Sequence, residues 1–505
     1  DADGEEAEEE AQEALEFEPE GLDTRTVRLT THASALGDFA MAPDGKALYY
    51  LAAFEGGFDL WKQDFQERST TLLAKLDAGG PSMQMSDDGA TIYLLANGSL
   101  SKIDTASGSR TPISFAAEMV IDKAAEREHN FHHVWRQTKK KFYRPDMHGV
   151  DWAFYRDQYE PKLEGVHTSE EFSQVLSEML GELNASHTGG FAIGGGMSGA
   201  ASTSVLGVIY DQDYNGPGRR IAEILENGPL DRAKFEDVKA GSIVLAVDGV
   251  RIDEGVNYYA QFDNKAGERV RLTIQTDAGE EKDIVVKPIS GGAQNQLLYE
   301  RWVRTRGELV EKLSDGRLGY AHIRGMNDAS YREFYEQVLG KHFDKEAIVV
   351  DTRFNGGGWL HDDLATFLSG EAYMKLYPRT DLNPGVEYSG DPLTRWTKPS
   401  IVVMSESNYS DAHIFPWTYA ELGIGETVGM PVPGTGTAVW WETLFTGDIV
   451  FGIPQVGTKG KDGGYLENTQ LEPDHLVNLD PESAADGRDT QIEKAVEVLL
   501  EQLGG

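Results

Sequence analysis

Between positions 29 and 115, apolar and polar residues alternate in short runs, the period-2 pattern of half-buried strands. Residues 47–51 and 91–95 each follow a turn, Ala42-Pro43-Asp44-Gly45 and Ser86-Asp87-Asp88-Gly89, and each precedes a second strand, 58–63 and 100–104. Asp-Gly between alternating strands predicts hairpins. The two turn glycines lie 44 positions apart (89 − 45 = 44). A period in the forties with several strands per unit predicts propeller blades. Two blades cannot close a ring, because their sheet faces need neighbours on both sides. The rest of a propeller is then expected upstream of Asp1, or these strands pack elsewhere.

From 116 the period lengthens. Residues 117–132 and 169–183 carry apolar positions three and four apart, and Thr168 with Glu171 forms a capping-box signature before the second helix. Residues 189–201 are rich in glycine and read as a loop. Residues 204–289 form a compact unit: a strand at 205–209, a helix at 220–226, a strand within 240–249 and a hairpin of 269–275 with 282–287. From 294 onward, strands at 318–323, 347–352 and 400–404 alternate with helices at 330–339, 364–368 and 413–422, which predicts an α/β sheet with crossover helices. An amphipathic helix at 490–503 ends the chain. The expected organisation is an acidic tail (1–20), a propeller-blade-like β region (21–115), a helical segment (116–200), the compact unit (201–290) and an α/β domain (291–505).

The 505 residues are 40% hydrophobic and 26% charged, ordinary for a globular protein able to bury a sizeable core. With 84 acidic against 46 basic residues the net charge is −38. Nucleic acid is excluded as a partner, because phosphate binding needs a basic footprint, and an anionic membrane surface is disfavoured for the same reason. The acidity reads as a solubility adaptation, or else as steering of basic substrates. The chain has no cysteine, so disulfides, thiolate metal sites and cysteine nucleophiles are excluded. Its apolar runs are strand-sized and predict no membrane insertion. The first 20 residues are acidic and almost free of apolar side chains, so they are expected to be disordered. A start at Asp1 reads as a piece of a longer precursor.

Three segments carry chemistry. In Asn184-Ala185-Ser186-His187-Thr188-Gly189 a histidine beside a serine lies in a glycine-flanked turn, where a neutral imidazole can accept a proton near pH 7; the plain alternative is a surface loop histidine. In Val350-Asp351-Thr352-Arg353-Phe354-Asn355-Gly356-Gly357-Gly358 a buried strand runs into three glycines, where backbone N–H groups can turn toward an oxyanion; the alternative is a tight structural turn. No Gly-Lys-Ser/Thr follows, so a phosphate loop is a poor fit. In Val402-Val403-Met404-Ser405-Glu406-Ser407-Asn408-Tyr409-Ser410-Asp411-Ala412-His413 a buried strand ends in a polar turn before a helix. A serine there meets free N–H groups and the helix dipole. Ser405, Ser407 and Ser410 are all candidates on chemistry alone, and Ser410 could equally be only an N-cap.

Residues 184–190, 353–358, 410–415 and 467–474 resemble, in order, four motifs of the tricorn-type serine peptidases, relatives of the carboxyl-terminal processing peptidases. The unit at 204–289 looks like a PDZ domain, and the strands near Asp44 and Asp88 resemble the end of a propeller. The resemblance covers about residues 21 to 505. It implies a multidomain α/β plus all-β fold: partial propeller blades, a helical segment, an inserted PDZ-like domain and a crotonase-like or ClpP-like α/β catalytic core. It implies Ser410 as nucleophile and His187 as base, with Ser186 and Glu467 completing a tetrad, and an oxyanion hole from the N–H groups of Gly357 and Asp411, Gly358 being the one-residue alternative. The expected activity is peptide hydrolysis through an acyl-enzyme, without metal or organic cofactor. Peptides are the expected partners, with a homo-oligomer beside them, and the location is periplasmic or secreted, with cytoplasmic as the alternative.

The chain departs from the family pattern at Ala412-His413 and at Gln470-Leu471. His413 puts a second imidazole near the nucleophile, and Glu472 is an alternative carboxylate to Glu467. Lys375 and Arg379 follow the glycine run where the family builds its specificity pocket, and they single out no substrate class. A different class of function is an inactive peptide-binding scaffold, in which the PDZ-like unit takes peptide C-termini beside residues 206–209; the same unit could be a rigid spacer. A third reading is a subunit that only assembles a larger cage.

Overall fold

The structure is a computed structural model that describes residues 19–504 except 31, 55, 195–199, 254, 378 and 380–387. The acidic tail expected at 1–20 therefore falls outside the described residues up to position 18. The chain divides into two compact units, Asp1–Ile121 and Asp122–Gly505.

In the first unit, β1 (Ala35–Met41), β2 (Ala47–Ala53), β3 (Phe58–Asp64) and β4 (Ser69–Ala78) form one antiparallel sheet in sequence order. The strands β5 (Ser82–Met85), β6 (Thr91–Ala96), β7 (Ser99–Asp104) and β8 (Arg110–Ile113) form a second in the same way. The turns before β2 and β6 are built alike. Gly45 N–H donates to Ala42 O and Gly89 N–H to Ser86 O, both at 2.8 Å. The side chains of Asp44 and Asp88 each accept from the residue two ahead at 3.0 Å. Both glycines sit at φ 70°, which a Cβ would oppose. The 44-position spacing is thus a repeat of structure as well as of letters. Leu51, Leu60, Ile92, Leu94 and Ile103, all fully buried, make the core.

The second unit opens with α1 (Lys123–Lys141), α2 (Trp152–Tyr159) and α3 (Ser169–Gly181). Thr168 and Glu171 form the expected capping box of α3. The stretch read as a loop from 189 begins instead with a strand, β9 (Gly189–Ala192). Its Gly-Gly-Phe-Ala sequence has little strand propensity, and the partner edge described below imposes the conformation.

Next come β10 (Ser204–Val205), β11 (Val208–Tyr210), β12 (Arg219–Ile224), the one-turn α4 (Pro229–Arg232), β13 (Ile243–Val247), β14 (Val250–Arg251), β15 (Val270–Gln275), β16 (Glu281–Val286) and β17 (Ile289–Ser290). The order β11-β12-β13-β15-β16 makes a sheet, with β14 beside β13. The helix expected at 220–226 is therefore wrong. Ile221, Ile224 and Leu225 have helical spacing, but β11 and β13 bracket this segment and take its backbone hydrogen bonds.

The long α5 (Gly291–Leu313) leads into an α/β domain: β18 (Leu318–His322), α6 (Asp328–Glu336), β19 (Ala347–Asp351), α7 (His361–Leu368), the hairpin β20 (Met374–Leu376) with β21 (Tyr388–Asp391), β22 (Ser400–Met404), α8 (Asp411–Glu421) and β23 (Glu426–Gly429). Then follow β24 (Thr437–Thr443), β25 (Ile449–Gly457), β26 (His475–Leu476), α9 (Pro481–Ala485) and α10 (Thr490–Gln502). The order β18-β19-β22-β23-β26 is parallel throughout. Every residue of β19 and β22 is buried, as helices on both faces require. Ile348, Val350 and Val402 pack toward Phe334, Leu364 and Phe415 of α6, α7 and α8. Ala347, Val349, Ile401 and Val403 pack toward Val310 of α5 and Ile492, Val496 and Leu499 of α10.

A separate antiparallel sheet, β24-β25-β9, joins the two ends of the unit: Gly189–Ala192 pairs with Ile449–Gly452 across the whole intervening chain. Phe131, Phe172, Leu176 and Leu180 of the helical segment pack on Ile449, Phe451 and Ile453 of β25. The helices thus rest on this smaller sheet.

Below the parallel sheet's carboxyl edge lies a buried charge network. Arg353, 1% exposed, donates to Asp351 at 2.6 Å, to Asp489 at 3.0 Å and to Gln491 at 2.9 Å, with Trp302 under its guanidinium. The network pins the segment after β19 to the start of α10. Arg353→Met would leave the buried Asp351 without its cation and Asp489 with Arg306 alone, and a loss of about 3–5 kcal/mol in urea unfolding is expected. A loss below about 1 kcal/mol would mean that water or relaxed neighbours satisfy Asp351 and Asp489.

Candidate active site

The carboxyl ends of β19 and β22 lie side by side, with Val350 beside Val402 and Asp351 beside Val403. Crevices outside such strand ends are the usual ligand sites of parallel sheets. The two segments that leave them, 352–358 and 405–410, come into direct contact. A Cβ built on Gly357 would lie 2.6 Å from Ser410 Cβ and 2.7 Å from Tyr409 O, so no side chain fits there. The backbone of Gly357 is at φ 98°.

Ser410 is the residue before α8 and is partly exposed. Its backbone is at φ 57° and ψ −125°, and its side chain makes no capping bond. The N-cap explanation therefore lacks its hydrogen bond, while a non-glycine residue held at positive φ signals a constrained position. Thr435 Oγ1 accepts the Ser410 N–H at 2.8 Å. The competing serines are placed differently: Ser405 is buried and bonded to Asn408, and Ser407 is exposed on the turn.

His187 arrives from the other side of the 204–289 unit. It follows α3, sits at φ 62°, and leads directly into β9. Gly452 of β25 admits it: a Cβ there would lie 2.4 Å from His187 O. The His187 N–H donates to the Tyr409 hydroxyl at 2.6 Å, and the two rings lie 4.8 Å apart. His187 is thereby tied to the residue before Ser410. Among the described residues no hydrogen bond joins the Ser410 hydroxyl to the His187 ring.

Behind the imidazole runs a polar chain. His187 Nδ1 lies 2.9 Å from Ser186 Oγ and 3.0 Å from Thr437 Oγ1. Ser186 Oγ donates to Glu467 Oε2 at 2.9 Å, and Ser186 N–H donates to Glu467 Oε1 at 2.5 Å. With a proton on Nδ1 donated to Ser186, the opposite nitrogen Nε2 is left as an acceptor. Glu467 is 5% exposed, and burial raises its carboxyl against the lowering effect of the Ser186 bonds. Burial pushes His187 down to about 4, so the ring is neutral at neutral pH.

The alternatives sit elsewhere. His413 is fully buried in α8, its Nδ1 accepts from Thr435 N–H at 3.2 Å, and burial pushes it down to about 4. Glu472 is exposed and takes a bond from Gln470. Among backbone donors, Gly357 N–H is already given to Asn355 Oδ1 at 2.9 Å. Gly358 and Asp411 N–H groups donate to no atom among the described residues. An open cavity of about 540 Å³, lined by Ser186, Thr188, Tyr409, Thr435 and Gln470 among others, borders the group.

Thr437, Thr435, Tyr409 and Asn355 were not anticipated from the sequence. The usable signal was the alternation Gly434-Thr435-Gly436-Thr437: a Cβ on Gly436 would press within 2.6 Å of Leu466 Cβ, so glycine lets this run lie against the segment carrying Glu467. Glu128, His132 and Glu160 are the one group among the described residues with metal-ligand types, their atoms within 4.8 Å of one another. They sit on α1 and the turn after α2, and His132 already bonds Glu160 at 3.1 Å.

Three families match the chain: the tricorn protease C1 domain over residues 123–181, the tricorn protease PDZ domain over 221–291 and peptidase family S41 over 317–477. The chain is 27% identical over 399 residues to a putative tricorn-like protease C-terminal subunit of Sulfurisphaera tokodaii, covering 76% of this chain and 44% of the relative. It is 28% identical over 437 residues to tricorn protease homolog 1 of Streptomyces coelicolor, covering 83% and 40%. A crystal structure of the tricorn protease shares the fold, with a TM-score of 0.76 at 19% identity over 91% of this chain and 46% of that one. The chain spans less than half the length of these relatives.

In protein carrying isotope-labelled histidine, the resonance lost in His187→Asn is expected to titrate near pH 4, with the ring neutral above that. A midpoint near the ordinary 6.5 would mean that water reaches the ring and the burial argument fails.

Proposed function

We propose that this chain, which belongs with the tricorn proteases by its C1, PDZ and S41 peptidase domains, hydrolyses peptide bonds through an acyl-enzyme on Ser410. The observation that carries this reading is the Glu467–Ser186–His187 hydrogen-bond chain, set against Tyr409 and Ser410 by residues from both sides of the PDZ unit. His187 Nε2 takes the Ser410 proton as Oγ bonds to the scissile carbonyl carbon. The proton passes to the leaving amine as the carbon–nitrogen bond breaks, and water then repeats the sequence on the ester. Ser186 and Glu467 hold the ring and offset its charge, with Thr437 as a further contact at Nδ1. Asp411 N–H receives the oxyanion together with the glycine run. Gly357 supplies the close approach to Ser410 and Gly358 the unengaged N–H.

The scaffold alternative is supported less well. The Gly207 N–H, one of those a peptide carboxylate would use, donates to Gln294 Oε1 at 3.1 Å. The Tyr210 and Tyr258 hydroxyls also meet there, and the space beside them is about 70 Å³. Peptides are the partners the enzyme reading requires, and a homo-oligomer is proposed beside them. The 44-residue repeat with its matching turns supports reading the first unit as two propeller blades, and the buried parallel sheet supports a crotonase-like or ClpP-like core. No helix among the described residues is long and apolar enough to cross a membrane; a periplasmic or secreted location rests on the acidic, cysteine-free composition.

Ser410→Ala is expected to abolish peptide hydrolysis and fluorophosphonate labelling with the fold intact. His187→Ala should cost about as much, because members of such a unit do not lose activity additively, and His413→Ala far less. Full turnover in Ser410→Ala would move the nucleophile to Ser405 or Ser407, and exchanged severity of the two histidine variants would move the base.

A further inference from the structure

Asp411 contributes more than a backbone N–H. Its carboxylate is 1% exposed and points back from the first turn of α8 to the start of α7. Leu360 N–H donates to Oδ2 at 2.5 Å and His361 N–H to the same oxygen at 3.1 Å. The His361 ring binds the other oxygen through Nδ1 at 2.5 Å. These bonds fasten the end of the glycine segment to the helix that begins after Ser410. The two proposed oxyanion donors, Gly358 and Asp411, follow different strands, β19 and β22, so their spacing depends on this link.

The link also has an electrostatic consequence. A buried carboxylate one side-chain length from an oxyanion donor opposes the negative charge that the donor must stabilise. That opposition grows as a bound substrate excludes water from the site. The two backbone N–H groups reduce it, and a cation on the carboxylate cancels it. Among the described groups that can supply one, His361 is in contact. Its side chain is 21% exposed, within reach of solvent protons, and Trp359 packs edge-on against the ring at 5.3 Å. The other charges facing it are Asp362 and Asp363 of its own helix, which also favour the protonated form.

Resting on the reading of Ser410 as nucleophile, we propose that His361 is a positioning residue whose imidazolium neutralises the Asp411 carboxylate and holds the glycine segment at its working distance from Asp411 N–H. The Asp411 bond raises the His361 pKa above its usual value, against the lowering effect of burial. The signs then follow. His187 works as the neutral base, so activity is lost as pH falls through its lowered pKa. His361 works as the cation, so activity is lost as pH rises through its raised pKa.

The experiment is the pH profile of kcat and KM for peptide hydrolysis by the full chain, with fluorophosphonate labelling counting competent sites and urea unfolding reporting the fold. The native protein should show an alkaline fall in kcat with little change in KM. His361→Asn keeps a donor near Nδ1 and removes the charge. It should lower kcat on the order of tenfold or more and abolish the alkaline limb. His361→Lys, a cation up to about pH 10, should carry activity to higher pH even if the asparagine variant folds poorly. An alkaline limb that stays in place in both variants, or effects confined to KM or to stability, would overturn the proposal. A native chain that neither labels nor turns over peptide would instead overturn the serine-peptidase reading, and this inference with it.

Discussion

The arrangement of the site depends on one antiparallel ladder, four residues long, between β9 and β25. It fixes His187 and Ser186, which precede the PDZ unit, against the half of the chain that carries Glu467 and Ser410. Beside it, side-chain bonds such as His187 N–H to the Tyr409 hydroxyl tie base to nucleophile, each worth about 1 kcal/mol net. With it, the ladder's backbone bonds and the apolar contacts of Phe451 and Ile453 with the helical segment hold the polar chain in register. A catalytic geometry needs tolerances well below an ångström, and a paired strand supplies them better than a loop.

Close approach is the second constraint. Three backbones meet around Ser410: its own turn, the glycine segment and the Gly434–Thr437 run. Each contact occurs where a side chain is missing or is a threonine whose hydroxyl completes a bond. Gly357 leaves room for Ser410 Cβ, and Gly452 leaves room for His187 O. Thr435 takes the Ser410 N–H and Thr437 meets His187 Nδ1. Ser410, His187, Phe354, Asn184 and Asn468 all hold positive φ. Such conformations cost roughly 1–3 kcal/mol each and persist only where surrounding bonds over-determine them. At Ser410 and His187 the bonds that do so include those to the Thr435 and Tyr409 hydroxyls.

How much of this the sequence disclosed followed from the range of the interactions. The strands at 347–351 and 400–404 were legible because a sheet covered on both faces needs unbroken apolar runs, and the capping box at Thr168 was legible because it is local. The segment 219–224 was misread because Ile221, Ile224 and Leu225 satisfy a helical period, and only pairing partners elsewhere in the chain decide otherwise. β9 carries no strand signal of its own and forms because β25 offers an edge. Thr437 and His361 could not be found by spacing: one meets His187 across 250 positions and the other meets Asp411 across 50. Motif order suggested which residues carry the chemistry, but not the groups that hold them.

The placement of the PDZ unit explains how so distant a pairing is tolerated. Bringing β9 to β25 closes a loop of some hundreds of residues, and a fully flexible loop of that length carries a substantial entropic cost that rises with the logarithm of its length. The inserted unit adds little to that cost. The first and last strands of the inserted unit, β10 and β17, pair with each other, Ser204 beside Ser290 and Val205 beside Ile289. Once that unit folds, its two ends are neighbours, and α5 begins at Gly291 directly after them. To the rest of the chain the insertion then counts as a short connection. A domain with adjacent ends can therefore sit between base and nucleophile without separating them, and the small sheet that unites them can form late, on surfaces already built by the helices and by β24–β25.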